Sequence, residues 1–463
     1  MIAPRPVTGL LLALGLLAGC APATPATAPL AGPRTGPRTG PPGTEAATPA
    51  PAASRTAEPP RRPVLDRGHD YDGDGYPDLA IGAPGRKAES GDAGTPGAVA
   101  ILWGTAAGLA LPGGDRAPTV LRSPAGGRGD GFGSALAAGD FDGDGTSDLA
   151  VGTPKHGPGR GGVTLLFGGP KPFARTREVR LPAQRLAAGD FDGDGRDDLA
   201  IAGHATVHVL IDGRLGLVKK TASAGPIAAG DVTGDGRADL AVVYSDDDPA
   251  DEGTGVVYPG TAQGLGKPPP GRGFDGWGVS GLDIGDLDGD GHGDVVAGNG
   301  WADASDPGGQ ITVLPGSPEG LGRPVLWSQA SPGVPGESVD GDGFGTLLSV
   351  GDANGDGYAD VLAGAPAKDL EGAVFLLYGG PDGVSGAGAR MLLPPRSPGG
   401  GTVRAFGFPP ALRQLDRDPE AEILVTAFGS HEVTVLDGGS EVTFGAEQVP
   451  IRTGDARFGV VIE

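Results

Sequence analysis

Residues 137–154 read AAGDFDGDGTSDLAVGTP, and residues 187–203 read AAGDFDGDGRDDLAIAG. Each stretch crowds at least four aspartates into nine positions: Asp140, Asp142, Asp144 and Asp148 in one, Asp190, Asp192, Asp194 and Asp198 in the other. Two like charges about 4 Å apart repel by roughly 1 kcal/mol in water and roughly 4 kcal/mol at an effective dielectric of about 20. Carboxylates held this close need a positive partner among them.

The same unit, D-x-[DNT]-G-D-G-x-x-D, begins at Asp70, Asp140, Asp190, Asp231, Asp286 and Asp352, and a decayed, shorter seventh copy begins at Asp416. Its starts lie 41 to 70 residues apart, too irregular for an unbroken solenoid. The unit therefore reads as one supersecondary motif with loops of variable length. A small-residue stretch precedes it, as at residues 132–138, and Leu149-Ala150-Val151-Gly152 follows. A β-branched run comes next, starting at Val99, Val163, Val207, Val256, Ile311, Val374 and Val433 in turn. Glycine turns such as GTAAGL at Gly104 and GTAQGL at Gly260 then lead to a fourth extended piece, for example residues 177–181.

Strand, charged loop, strand, loop, strand, turn, strand makes a four-stranded antiparallel sheet. Seven such sheets set radially leave only short, protected edges. The predicted fold is all-β: a seven-bladed β-propeller of four-stranded antiparallel blades, closed by a C-terminal strand. Closure is expected because the Asp70 loop lacks a Phe-Gly strand ahead of it, whereas the last residues, 458–463, read FGVVIE and look like such a strand without its loop. That strand is assigned to the inner position of the blade containing Asp70.

Composition agrees. The chain has 463 residues with 90 Gly, 46 Pro and 5% aromatics, which is turn-rich and helix-poor. A formal charge of -23 argues against nucleic acid, whose phosphates need clustered Lys and Arg. Residues 1–19 carry Arg5, an apolar run too short to span a bilayer, and then Leu17-Ala18-Gly19 before Cys20. This resembles a bacterial lipoprotein signal, which implies lipidation at Cys20 and a cell-surface position on the outer side of the membrane. An ordinary secretory signal is the other reading. Cys20 is the single cysteine, so no intramolecular disulfide forms. Residues 20–62, rich in Ala, Pro, Thr and Gly, read as a disordered tether, and residues 63–463 as the propeller.

Phe132-Gly133 and Phe344-Gly345, with Gly82-Ala83-Pro84 and Gly364-Ala365-Pro366, resemble the FG-GAP repeat of integrin α propellers and of bacterial VCBS-type proteins. The resemblance spans roughly residues 63–463 and is strongest in the aspartate loops. It implies calcium in the loops joining strands 1 and 2.

Spacing supports the metal separately. Aspartates at positions 1, 3, 5 and 9, glycines at 4 and 6, and a carbonyl at 7 resemble the first part of an EF-hand loop. Position 12, a glutamate in an EF-hand, is here Ile81, Val151, Ile201, Val242, Ala297 or Ala363, each on a strand. Hard oxygen donors suit calcium rather than zinc. The candidate ligands are Asp70, Asp72, Asp74 and Asp78; Asp140, Asp142, Asp144 and Asp148; Asp190, Asp192, Asp194 and Asp198; Asp286, Asp288, Asp290 and Asp294; and Asp352, Asn354, Asp356 and Asp360. A sixth, weaker site is expected at Asp231, Asp235 and Asp239, where Thr233 is a poorer ligand. No metal is expected at Asp416. Aspartate-rich turns without metal are the plainer alternative.

No catalytic residue is assigned. There is no G-x-S-x-G elbow, and the six histidines show no metal spacing. Arg128-Gly129-Asp130 carries little weight in so Gly- and Asp-rich a chain, and the acidic run at residues 246–252 reads as a solvated loop. Trp277, Trp301 and Trp327 are suited to sugar stacking, but blade contacts are the commoner use of such rings. The metal loops should rim one face and the irregular segments 84–96, 244–253, 299–309 and 329–343 the other. The expected function is a calcium-stabilised, lipid-anchored extracellular binding or adhesion propeller that recognises a protein or carbohydrate on the face opposite the calcium loops. The alternative is a propeller-scaffold polysaccharide hydrolase or lyase, and a third reading is a scaffold in an envelope complex.

Overall fold

The computed structural model describes residues 68–85, 97–111, 113–114, 116–123, 131–154, 161–246, 253–301, 308–394, 405–427, 432–437, 440–445 and 461–462. The signal segment, Cys20, the tether, Arg128 to Asp130 and residues 458–460 lie outside them.

Among the described residues there are seven four-stranded antiparallel sheets, with two-stranded ribbons that pair Gly104–Thr105 with Gly108–Leu109 and Gly260–Thr261 with Gly264–Leu265. Blade 2 is representative, with strands Ala135–Gly139, Asp148–Thr153, Gly162–Leu166 and Thr176–Val179. Its second strand starts on the last aspartate of the loop, and its third is the β-branched run. Among the described residues the one helix is a 3-10 turn at Lys368–Leu370, and no helix is long and apolar enough to cross a membrane.

The first strands of the blades face the axis. Leu136, Ala187, Ile227, Leu282, Leu348, Ala411 and Ile462, one from each blade, line a central cavity of about 450 Å³. Closure follows the expectation: Val461–Ile462 pairs antiparallel with Leu79–Ala83, Ile81 opposite Ile462, and so supplies the inner strand of blade 1.

The core is divided among the blade interfaces. Each of seven buried clusters joins two neighbouring blades, from the blade 1–2 cluster around Tyr71, Phe132 and Leu149 to the blade 7–1 cluster around Leu79, Leu424 and Phe444. Apolar burial of about 25 cal/mol per Å² therefore works between blades, and a lone blade would leave both faces wet. Phe132, Phe344 and Phe406 each sit fully buried just ahead of or at the start of a first strand. The glycine after each has φ of +84°, +82° and +90°, which a side chain would strain.

Candidate metal centres

The Asp140 loop shows how the unit folds. Asp140 Oδ1 accepts the N–H groups of Gly143 at 2.7 Å and Asp144 at 3.1 Å, and Oδ2 accepts that of Gly145 at 2.8 Å. One carboxylate thus gathers three donors, which demands φ of +75° at Gly143 and +87° at Gly145. Asp142 then accepts the Asp144 N–H, and Asp144 the Thr146 N–H. Asp148, fully buried, closes the loop: its oxygens accept Phe141 N at 3.0 Å and Gly168 N at 2.7 Å. The last bond ties the hairpin to the turn after the third strand.

The three-donor cradle recurs on Asp70, Asp190, Asp286 and Asp352. The Asp231 loop departs from it. There Asp231 accepts only Asp235 N and Gly236 N, and Asp239 takes the N–H of Thr233 instead of the residue before it.

Carboxylate oxygens converge within 4.8 Å in four loops: Asp70, Asp72 and Asp78; Asp140, Asp142 and Asp148; Asp190, Asp192 and Asp194; Asp286, Asp288 and Asp290. Asp74, Asp144, Asp198 and Asp294 stand outside these trios. The Asp231 and Asp352 loops form no such trio because Thr233 and Asn354 replace an acid. Burial pushes Asp78, Asp198, Asp294 and Asp360 up to about 7 and Asp148 to about 6, with neighbouring aspartates adding to the rise. A hard cation among them would reverse those shifts, and an all-oxygen donor set fits one. The clusters can therefore hold a metal.

Arginines partly offset the charge in the early blades, Arg196 and Arg237 from within their own loops and Arg116 and Arg175 from distant positions that give no local sequence signal. Arg116 pairs with Asp72 and Asp74, Arg175 with Asp142, Arg196 with Asp194 and Asp212, and Arg237 with Asp235. Among the described residues no ion pair reaches the Asp286 or Asp352 loop.

The loops are also joined to one another. The N–H at position 8 of each loop donates to the position-1 carbonyl of the loop before: Ser147 to Asp70, Asp197 to Asp140, Ala238 to Asp190, Gly293 to Asp231, Ala359 to Asp286 and Ala421 to Asp352, at 2.6 to 3.0 Å. In the first loop position 8 is Pro77, which has no N–H to give back to blade 7. Arg417 crosses that junction instead, donating to Gly75 O and lying 4.1 Å over the Tyr76 ring.

This register corrects the reading of the seventh copy. Ala421 is position 8, so the loop starts at Gln414, not Asp416, and is full length. Leu415 N donates to Glu422, which fills position 9, while Asp418 N donates to Asp416 and Glu420 N to Asp418. The aligned run Glu422-Ile423-Leu424-Val425, matching Asp148-Leu149-Ala150-Val151, was the available signal. Gln414 Nε2 donates to the carbonyls of Asp418 at 2.5 Å and Glu420 at 3.2 Å. An amide thus stands where a metal-binding loop would present its cation. Asp416, Glu422 and Asp437 nonetheless approach within 4.8 Å, and burial raises Glu422 to about 8.

Two tryptophans depart from expectation. Trp277 is 43% and Trp301 74% exposed, whereas Trp327 packs into the blade 5–6 core.

The FG-GAP repeat profile matches residues 65–102, 132–166 and 344–388, and the FG-GAP-like repeat profile matches residues 190–242. Integrin alpha pat-2 of Caenorhabditis briggsae is 37% identical over 126 residues, 25% of this chain and 10% of the relative. Integrin alpha pat-2 of Caenorhabditis elegans is 32% identical over 140 residues, 28% of this chain and 11% of the relative. The matched region spans about a tenth of these relatives. Among solved structures, the Dos1 propeller aligns at TM-score 0.37 and 10% identity, covering 75% of this chain and 73% of its own. The exotype rhamnogalacturonan lyase YesX aligns at TM-score 0.39 and 15% identity, covering 78% and 69%. The chain is a seven-bladed propeller of four-stranded antiparallel sheets. It carries FG-GAP repeats.

Proposed function

We propose that the chain is a calcium-stabilised binding propeller, anchored by lipid at Cys20 on the outer side of a bacterial membrane, that recognises a protein or glycan with the face away from its metal loops. The observation that carries the reading is the convergence of three carboxylates within 4.8 Å in four loops, each already braced by backbone N–H groups. The loops at Asp70, Asp140, Asp190, Asp286 and Asp352 would hold the ions, and the Asp231 loop would bind more weakly.

Calcium would supply the positive charge that lets the buried position-9 carboxylates ionise. The chain's own part is to orient the donors: position 1 shapes the loop, position 9 fastens it to the next turn, and the position-8 bond fastens it to its neighbour. The metal is thus structural, and recognition falls to the other end. There the buried pair Lys368–Asp342, at 2.8 Å, with Lys368 also donating to Glu337 O, pins part of segment 329–343 to the scaffold. Recognition segments held on a rigid frame suit a binding role.

Calcium bound only by the folded state stabilises by about 2.7 kcal/mol per site at a hundred times Kd. Removing it by EGTA from the purified full chain should lower Tm by on the order of 10 °C, and a change within about one degree would sink the metal reading. Cys20→Ser should abolish labelling by radioactive palmitate in cells; retained labelling would refute the anchor.

A further inference from the structure

The blade 4–5 interface differs from the other six. Its core cluster holds six buried residues, whereas the others hold eight to thirteen. The cause lies in the sequence Lys267-Pro268-Pro269-Pro270-Gly271. Three prolines in a row have no N–H to offer a sheet. The outer strand of blade 4 is accordingly reduced to Phe274–Asp275, paired only with Thr254 and Gly255, whereas outer strands elsewhere run four to eight residues.

A cleft of about 770 Å³ opens along the flank of blade 5 where that strand is missing. Its floor is one face of the blade 5 sheet, because Ala297, Thr312 and Leu326 are cross-strand partners, as are Asn299 and Gln310. In blades 1 and 6 the positions of Asn299 and Gln310 are occupied by the alanine pairs Ala83–Ala98 and Ala365–Ala373, fully or almost fully buried. Blade 5 therefore has two amides where blades 1 and 6 have methyl groups.

The amides have different duties. Asn299 is 7% exposed and holds both tryptophan segments: its Nδ2 donates to Trp277 O at 3.0 Å and its Oδ1 accepts Trp301 N at 2.9 Å. Asp275 Oδ1 accepts Trp277 N at 2.9 Å. An indole on the cleft wall is thus backed by two hydrogen bonds to its own backbone while the residue stays 43% exposed. Gln310 and Thr312 are half-buried on the floor, and their side chains make no hydrogen bond among the described residues. Half-buried polar groups without protein partners, facing a pre-formed cavity, are set for a polar ligand.

A flat, pre-positioned indole offers its face to the C–H side of a pyranose ring, and amide and hydroxyl groups match ring hydroxyls as both donor and acceptor. The cleft wall carries Arg272, which donates to Leu321 O at 3.2 Å, Arg323 and Asp275, so its own charge is close to balanced, and the chain's net charge of -23 disfavours a polyanion. We propose that the cleft between blades 4 and 5 binds a neutral oligosaccharide, with Trp277 stacked on a sugar ring and Gln310 and Thr312 hydrogen-bonding its hydroxyls. This site runs along the flank of blade 5 up to Asn299 at the edge of the opposite face, uses none of the loop aspartates, and stands whether or not the loops hold calcium.

The test is calorimetry and tryptophan emission on the full chain in calcium with cellohexaose, maltohexaose, chitohexaose, mannohexaose and xylohexaose. At least one should bind and shift the emission, and Trp277→Ala should weaken it by about tenfold or more. Gln310→Ala should weaken it by about threefold or more. Circular dichroism of each variant should match the parent, and Gln310→Ala serves if Trp277→Ala does not fold. Two results overturn the proposal: no heat and no emission change with any of the five at about 10 mM, a level where even a Kd near 1 mM would register, or binding that neither substitution alters. Loss of the EGTA effect would bear on the calcium reading and leave this one standing.

Discussion

In blade 2 a carboxylate at position 1 gathers three backbone N–H groups, and the loop's remaining acids face one another. In blade 7 position 1 is Gln414, whose nitrogen reaches inward to two backbone carbonyls. Both loops span nine residues, both end on a buried acid, and both accept the same bond pattern along positions 3, 5 and 7. The hairpin shape is thus separable from the cation. A loop can be completed by a positive ion from outside or by a donor built into its own first residue.

The largest effect expected is on how stability responds to protons, a response that the raised acids of both arrangements, Glu422 at about 8 included, share while no metal is bound. Asp78, Asp198, Asp294 and Asp360 are raised to about 7 and Asp148 to about 6, against about 3.9 in an unfolded chain. Because the folded values are higher, their stabilising contribution to the metal-free fold is complete below the unfolded value and lost as pH rises through about 6 to 7. The metal-free protein should melt lower at about pH 8 than at about pH 5, whereas saturating calcium should reverse the slope, since protons and the ion compete for one set of oxygens. Parallel melting curves across that range, with and without the ion, would break the comparison.

A smaller effect separates the blades individually. Asp294→Ala strands the N–H groups of Leu287 and Gly316, which should cost about 2–5 kcal/mol in urea unfolding, and it should remove one bound calcium by elemental analysis. Glu422→Ala in blade 7 should also destabilise, through Leu415 N, but leave the calcium count unchanged. Equal calcium loss in both would place an ion in the seventh loop. The finest test runs the other way. Gln414→Asp combined with Arg417→Gly and Pro419→Gly should add one calcium to the count by elemental analysis, the ion's stabilisation being offset by loss of the Arg417 contact to Gly75.

The propeller was legible because a nine-residue loop fixes where one strand ends and the next begins, so its recurrence fixes the blades. The closing strand was legible from a mismatch: a loop without a first strand at Asp70 and a strand without a loop at the other end. The seventh loop was misplaced by two residues because Asp416 imitates a first aspartate, whereas its register is set by the pairing of Glu422 with Leu415 N. Arg116, 44 residues from Asp72, gives no local sign of its partner. The exposure of Trp277 depended on a missing neighbour strand, a fact about Pro268 to Pro270 rather than about tryptophan.

Pro77 gives the belt of loops two ends. Six junctions carry this position-8 bond, and at the seventh, where blade 7 meets blade 1, Arg417 reaches across to Gly75 O in its stead. Like a split washer, such a ring opens at its cut before it breaks anywhere else. Amide hydrogens of blade 1 that face the closing strand should exchange ahead of their counterparts in blade 6, which marks this seam as the place where the propeller begins to breathe.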